Sequence, residues 1–314
     1  MPNNTYLPEG NLIYNIENSE YLSSISGLEK ALKEGIILEA IAIKCDNNFT
    51  LSVDLGEYTG IIKREDAVYS FEEPIKDIAV ITRVGKPVCF KIKSIEYDEN
   101  NEVEITLSRR LAQIECVTNR LSKLAPGDII DAQITHLEQF GAFVDVGCGM
   151  ISLLSIDCIS VSRISHPKDR FFVGEKIKCA VKKNEDKGKR IYVTHKELLG
   201  TWEENVSEFE IGQTVTGVVR SIEEYGIFIE LKPNLAGLAE YKQGISIGQP
   251  VAVFIKNIIP ERMKIKLVLI DTYAANQSID ISDFEYFVGE NISHISEWKY
   301  SPNESNKLIE TVFE

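Results

Sequence analysis

The sequence predicts a mainly β protein made of three tandem, five-stranded β-barrels joined by short helices. Three segments share one order of features: an apolar alternating run, a turn, a short strand that ends near a carboxylate, and later a second pair of alternating strands. Each segment holds about five short runs rich in Val, Ile and Phe, separated by Gly, Asn and Asp turns, a pattern typical of small closed barrels. The length of 314 residues, 44% of them hydrophobic, suffices for two or three domains with buried cores.

The repeats set the predicted domain boundaries. The domains are, in chain order, an N-terminal extension (1–33), a degenerate first barrel (34–110), a helical linker (111–125), a middle barrel (126–197), a second linker (198–210), a third barrel (211–272) and an acidic C-terminal element (273–314).

Elements outside the barrels have weaker patterns. The N-terminal extension is polar with one possible helix at Ser26 to Lys33, and helix-like stretches run from Arg109 to Leu124 and from His195 to Glu208. We expect these joints to be short and stiff, so that the barrels are arranged as beads on a semi-rigid string. In the C-terminal element, the runs ISHISEWKY and KLIETVF are expected to pair as a hairpin across the SPNESN turn and to pack against the third barrel.

Side-chain alternation predicts which residues of the middle barrel face outward. In the run 142–146, Ala142, Val144 and Val146 share the inner face, while Phe143 shares the outer face with the carboxylate of Asp145. Phe140 precedes Gly141, a residue that permits a bulge, so its ring is expected to turn outward too.

The third barrel repeats this arrangement and the first does not. Phe228 and Glu230 are predicted to face outward with Tyr225 ahead of them, while Ile227, Ile229 and Leu231 face inward. In the first barrel Ser52 replaces the outward phenylalanine, and only Phe49 remains aromatic.

Exposed aromatic pairs beside basic side chains favour the binding of unpaired bases. Stacking on a ring is worth roughly 1–3 kcal/mol per base and requires no particular sequence. The alternative is that the rings cover the barrel surface or pack against a neighbouring domain.

The net charge of −14 is unusual for a nucleic-acid binder, because Lys and Arg contacts to phosphate normally supply much of the affinity. The segment from Lys168 to Arg190 departs from this balance, with nine basic residues against four acidic ones. It is therefore the predicted phosphate-binding segment.

Three motifs resemble a known family. The segments FGAFVDVG (140–147) and RIYVTHK (190–196) resemble the S1 (S-one) RNA-binding domain, and the linker GTWEEN with the tandem layout resembles a short three-copy relative of the bacterial ribosomal protein S1 family. The resemblance covers about residues 34–272 and is strongest in the middle barrel. It implies barrels of the oligonucleotide-binding type, whose RNA face carries two aromatics, a histidine, an aspartate and an arginine.

In the middle barrel, Phe140 and Phe143 match the family's aromatics and Arg190 matches its arginine. Ser155 stands at the histidine position, and the acidic position falls at either Asn184 or Asp186.

In the outer barrels the departures accumulate. Tyr225 and Phe228 match the aromatics of the third barrel, where Lys264 replaces the arginine and Glu240 the histidine. In the first barrel only Phe49 matches, with Lys63 and Glu104 at the histidine and arginine positions. RNA affinity is therefore expected to rank middle, third, first.

These observations together predict a non-catalytic binder of single-stranded RNA in translation. The predicted RNA-binding residues are Phe140, Phe143, Lys182, Lys183, Lys189, Arg190, Tyr225, Phe228 and Lys264. By the resemblance, the RNA is messenger RNA held near the small ribosomal subunit, whose proteins are further candidate partners. Bases would stack without reading of their edges, so only shallow sequence preference is expected.

Other classes of function find little support in the sequence. There is no phosphate-binding glycine loop, nucleophile elbow or metal-binding histidine motif, and the six cysteines stand singly, so we expect no catalytic residue, cofactor or metal, and mostly buried, reduced thiols. No membrane span or signal peptide is recognisable, which favours a cytoplasmic protein, and a monomer is the default expectation. The alternatives are an accessory subunit or regulator of an RNA enzyme and an acidic adaptor that binds basic proteins.

Overall fold

Three closed five-stranded barrels dominate the computed structural model, which describes residues 6–70, 75–100, 102–273, 285–289 and 291–314. This confirms the predicted fold class. The remaining positions, among them parts of the N-terminal extension, the first barrel and the C-terminal element, lie outside the described residues.

The first barrel has the strand order β1-β2-β3-β5-β4, in which β3 and β5 pair in parallel and the other pairs are antiparallel. Its strands are β1 (Leu38–Cys45), β2 (Leu51–Asp54), β3 (Thr59–Ile62), β4 (Pro87–Tyr97) and β5 (Val103–Ser108).

The middle and third barrels have the same topology. The strands of the middle barrel are β6 (Ile129–Glu138), β7 (Gly141–Asp145), β8 (Ile151–Ser155), β9 (Lys176–Glu185) and β10 (Arg190–Thr194). Those of the third barrel are β11 (Thr214–Glu223), β12 (Gly226–Lys232), β13 (Leu235–Ala239), β14 (Pro250–Ile259) and β15 (Lys264–Thr272).

Strand alternation fills each barrel as the sequence predicts. Ala142, Val144 and Val146 are buried in the middle barrel, and Ile227, Ile229 and Leu231 are buried at the matching places of the third. The inner faces of the strands thus supply the cores, and the outer faces remain available for other contacts.

Helices cover the ends of the barrels. Ahead of the first barrel lie α1 (Ile16–Leu22), which the sequence pattern did not reveal, and α2 (Ile25–Glu34), which contains the predicted helix. Asn15 and Ser24 cap these helices by accepting a backbone N–H in the first turn. Leu28 and Ala31 of α2 pack into the core of the first barrel.

The first linker is a buried joint rather than part of a string. Its helix α4 (Arg109–Asn119) follows the short α3 (Asp77–Ile81) in chain order, and Cys116 and Val117 of α4 belong to one apolar cluster with Cys89 of the first barrel and Val146 of the middle barrel. The expectation of beads on a semi-rigid string is wrong here, because this core is continuous across the joint.

The second linker is also more broken than predicted. It contains a 3₁₀ turn (Lys196–Leu199) and the helix α5 (Trp202–Val206) instead of one helix from His195 to Glu208. Gly200 separates them with φ of 80°, a left-handed value that favours glycine, and a Cβ there would lie 2.7 Å from the Phe287 ring.

The predicted C-terminal hairpin is present. Strands β16 (Glu297–Lys299) and β17 (Glu310–Val312) pair antiparallel. Trp298 and Tyr300 enter the apolar cluster of the third barrel, which confirms the expected packing. The same element also reaches the middle barrel, where the Ile129 N–H donates to the Ser293 carbonyl over 2.8 Å.

Candidate nucleic-acid interface

An aromatic group lies on the outer face of the middle barrel, where Phe140 and Phe143 were predicted. Phe140 lies in the turn between β6 and β7 with 56% of its surface exposed, and Phe143 is half-buried on β7. Their ring centroids are 6.0 Å apart and the rings are perpendicular.

The strand register extends this group into a row across the whole barrel. Phe143 pairs with His136 on β6 and with Leu153 on β8. Leu153 pairs in turn with Tyr192 on β10, and Tyr192 pairs with Lys183 on β9. Paired residues point to the same side of a sheet, so these five side chains form one outward row, which we call the aromatic row.

Two rings of the aromatic row were not among the predicted site residues. The His136 ring stacks on Phe143 with centroids 6.2 Å apart, and its Nε2 lies 2.8 Å from Oε1 of Glu138. Tyr192 is half-buried, two positions after Arg190 on the same strand. Arg190 and Tyr192 alternate with the buried Ile191 and Val193. Strand alternation could therefore have predicted that Tyr192 faces outward.

The predicted cations of the middle barrel lie at the β9–β10 end of the aromatic row, and several of them contact neighbouring side chains. A register shift in β9 turns both Lys182 and Lys183 outward, where the Lys182 ammonium lies 3.2 Å from the Cys158 sulfur. Lys183 forms an ion pair with Glu185. Hydrogen bonding to Lys183 lowers the pKa of Glu185, so that carboxylate stays charged.

At the end of the aromatic row away from Phe140, Arg190 lies 3.5 Å from Asp186, and Lys189 is exposed beside them. Of the two positions expected for the acid, Asp186 contacts the arginine, and Glu185 is opposite the arginine in the strand register. Asn184 instead holds the turn to the first linker by donating to the carbonyls of Leu121 and Leu124.

The third barrel has an aromatic pair of the same geometry, but its outward row holds fewer rings than that of the middle barrel. Tyr225 and Phe228 have centroids 6.1 Å apart and perpendicular rings, with Tyr225 69% exposed. The row through Phe228 continues through Leu238 to Lys266, so no further ring follows Phe228 along these strands. Lys264 is exposed two positions before Lys266.

The first barrel carries no aromatic row. Its register-matched positions are Lys44, Ser52, Ile61, Thr106 and Ser94. The ring of Phe49 is covered by the Arg64 guanidinium, 4.6 Å from the ring centroid.

The strand-end carboxylates are buried, which contradicts their predicted outward exposure. Asp145 is 2% exposed because residues 6–13 cover it, and its carboxylate accepts the backbone N–H groups of Glu9, Gly147 and Gly149. Burial raises the pKa of Asp145 to about 7, with a further contribution from the charge of Glu9. Sequence alternation shows the side of a sheet but not what later covers it.

Glu230 is covered by the neighbouring barrel. It is fully buried and forms ion pairs with Arg170 from the middle barrel and with Arg220 of its own barrel, the latter over 2.5 Å. Arg170 is 2% exposed, so this residue of the predicted phosphate-binding segment contacts a carboxylate instead. The ion pair could not be predicted from the sequence, because 60 residues separate Arg170 from Glu230.

Within the described residues, no group of three or more His, Cys, Asp or Glu side chains has the geometry to hold a metal ion. Five of the six free cysteines are buried, as expected, and Cys45 is half-buried. In the same described ranges, no helix has the length and hydropathy of a membrane span.

Comparison with known proteins supports an assignment to one family. Residues 123–196 match the family described as the S1 RNA binding domain. The chain is 31% identical over 211 residues to the small ribosomal subunit protein bS1 of Rickettsia conorii, which covers 62% of this chain and 36% of the relative. It is 26% identical over 283 residues to the bS1 homolog of Bacillus cereus, which covers 88% of this chain and 70% of the relative.

The chain thus spans about a third of the length of the Rickettsia relative. Among solved structures, a multidomain protein with nucleic acid binding domains from Streptococcus pneumoniae matches with 13% identity and a TM-score of 0.24, covering 75% of this chain and 73% of that one.

Proposed function

Since this chain is an S1-family protein, we propose that it binds single-stranded RNA without catalysis, chiefly through the aromatic row of its middle barrel. The observation that carries the proposal is the outward-facing pair of Phe140 and Phe143, which lies on the matched domain in one row with Tyr192 and Lys183. Rings of this kind stack on unpaired bases, and the lysines neutralise the adjoining phosphates.

The third barrel is proposed as a weaker second contact. Tyr225 and Phe228 reproduce the geometry of the first pair, and Lys264 and Lys266 supply charge. The described part of the first barrel offers no exposed ring at the matching place, which supports the ranking of middle, third, first.

By analogy with the names of its relatives, we propose that the RNA is messenger RNA and that the chain meets the small ribosomal subunit. No step of the binding chemistry depends on a cofactor. The chain is proposed to act in the cytoplasm, where its relatives' ribosomes work, and as a monomer.

The test is fluorescence-anisotropy titration of a labelled, unstructured RNA of about 20 nucleotides with the whole chain, at several salt concentrations. We expect saturable binding that weakens with salt and loses at least about 2 kcal/mol in the Phe140→Ala/Phe143→Ala variant. Tyr97→Ala, which removes a half-exposed ring from the first barrel, is the matched control and should bind as the parent does.

Absence of binding at low salt would refute the proposal. The acidic adaptor would then be the better account, since a net charge of −14 favours basic partners.

A further inference from the structure

A shallow cleft lies beside Phe143 on the middle barrel, and Tyr192 is the one aromatic residue among the side chains that line it. The lining side chains are those of Leu153, Ser155, Lys182, Lys183, Glu185, Tyr192 and Val193. Ser155 is small and its hydroxyl donates to the Cys158 sulfur, so the face remains open between Phe140 and Tyr192. The cleft therefore combines a ring, an apolar floor, two ammonium groups and the Glu185 carboxylate that pairs with Lys183.

Phe143 and Tyr192 are separate platforms. Leu153 lies between them in register, so the two residues are two strands apart. At about 4.8 Å per strand, their backbones are roughly 10 Å apart, beyond the 4.5–7 Å at which two rings contact each other. Each ring can therefore receive its own base, and Leu153 offers an apolar surface between the two bases.

The other barrels lack this second platform. The residue in register with Tyr192 is Lys266 in the third barrel and Thr106 in the first. The middle barrel thus differs from its neighbours in the length of its aromatic surface as well as in its charge.

We propose that Tyr192 is a base-stacking residue, so that the middle barrel holds one more nucleotide than the third. This rests on the proposed RNA binding and assigns Tyr192 its own nucleotide next to the one on Phe143. Lys183 is opposite Tyr192 in the strand register and Lys182 precedes it on β9, so both ammonium groups contact the phosphates next to the nucleotide on Tyr192.

The test measures binding against RNA length. Fluorescently labelled oligouridylates of two to eight nucleotides are titrated with the whole chain carrying Tyr225→Ala/Phe228→Ala, which removes the proposed stacking pair of the third barrel. In this background affinity should rise with length to a plateau. With Tyr192→Ala added, the plateau should begin at an RNA that is one nucleotide shorter. Affinity at the plateau should fall about tenfold, the equivalent of about 1.4 kcal/mol.

Two further variants separate stacking from support of the fold. Tyr192→Phe keeps the ring and should preserve both the plateau length and the affinity. Tyr192→Lys introduces the residue that the third barrel has at this place, so the fold accepts it, and it should shorten the plateau while making binding steeper in salt.

The outcomes are distinct. If Tyr192→Ala and Tyr192→Lys keep the plateau length of the background protein while Phe143→Ala weakens binding, the role of Tyr192 is disproved and the proposed RNA binding stands. If Tyr192→Phe behaves like Tyr192→Ala, the ring is not the binding element, and the inference is again overturned. If the unmodified chain binds no oligouridylate at low salt, the proposed function itself fails.

Discussion

Buried carboxyl groups at the joint of the first two barrels have pKa values far from those of exposed carboxyl groups. Glu39 accepts the N–H groups of Gly10, Leu12 and Ile13, and burial raises its pKa to about 7, as burial does for Asp145. Glu9 lies between them against Arg109, over 2.6 Å. Burial alone would raise the pKa of Glu9, but the Arg109 charge outweighs it and the pKa is lowered.

These raised pKa values make stability depend on pH. A carboxyl whose folded-state pKa exceeds its unfolded value stabilises the fold at low pH and loses that contribution as pH rises through the folded pKa. His195 acts in the opposite direction, because burial lowers its pKa to about 4, but above pH 6.5 it is largely neutral in both states.

We therefore expect the free energy of unfolding to fall by about 1 kcal/mol between pH 6.5 and pH 8, measured by urea denaturation. Asp145→Asn should flatten this dependence, although it lowers stability overall by disturbing three hydrogen bonds. A slope unchanged in Asp145→Asn and in Glu39→Gln would show that other groups control it.

At single residues, the sequence predicted which face of a strand a side chain occupies but not whether that face is covered. The inward and outward assignment of Phe143 and Phe228 followed from alternation alone, because strand geometry is local. The burial of Asp145, Glu230 and Arg170 did not, because it depends on contacts between Glu9 and Asp145 and between Arg170 and Glu230, which are 136 and 60 residues apart in the sequence. Tyr192 was overlooked although its strand shows the same alternation.

The turn between β9 and β10 places carboxylates beside the cations of the proposed interface. Glu185 contacts Lys183 and Asp186 contacts Arg190. Because these carboxylates adjoin the proposed phosphate path, they oppose RNA binding.

Removal of these charges should strengthen binding. We expect Glu185→Gln/Asp186→Asn to tighten RNA binding several-fold at low salt and to leave stability within about 0.5 kcal/mol, since exposed ion pairs contribute little. The measurement is anisotropy titration, with Glu96→Gln/Glu104→Gln on the first barrel as a charge-matched control. Equal affinity of the double variant and the parent would show that RNA avoids this turn.

The joint between the middle and third barrels depends on a buried ion-pair network. Glu230 binds Arg170 across the joint and Arg220 within its own barrel, and Arg220 is 3.6 Å from Asp169 of the middle barrel. Such a network need not exceed an apolar contact in stability, but removal of one member leaves a buried charge without its partner.

Glu230→Ala should therefore cost about 3–5 kcal/mol of stability. Guanidinium denaturation measures this loss, and combining it with Arg170→Met should recover part of it, because the orphaned guanidinium is removed. Asp186→Asn, which breaks an exposed pair, serves as the control with a loss below about 1 kcal/mol. A similarly small loss in Glu230→Ala would argue against a rigid joint.

At the scale of the whole molecule, the charge balance predicts how binding responds to salt. Four proposed cations adjoin the aromatic row of the middle barrel, namely Lys182, Lys183, Lys189 and Arg190, while the chain as a whole carries −14. With about three or four phosphate contacts, the slope of log affinity against log salt should be near −2 to −3 for a single strand. A slope steeper than about −5 would require further basic residues in the interface.

The overall layout was predictable because the repeats share one pattern, whereas the packing between barrels was not. Local alternation and turn residues specified three barrels. The continuity of the core through Cys89, Cys116 and Val146 depends on contacts between distant segments that no local pattern encodes.

The covering of Asp145 by the N-terminal segment has a consequence for the order in which the chain is assembled. The Cys148 N–H donates to the Leu7 carbonyl, and the Glu9 N–H donates to Asp145, so these two contacts of the segment depend on residues made about 140 positions later. At 5–20 residues per second, a translating ribosome takes roughly 7–28 s to supply them. During this interval Gly10, Leu12 and Ile13 can already bind Glu39 of the first barrel, while Leu7 and Glu9 still lack their partners in the middle barrel.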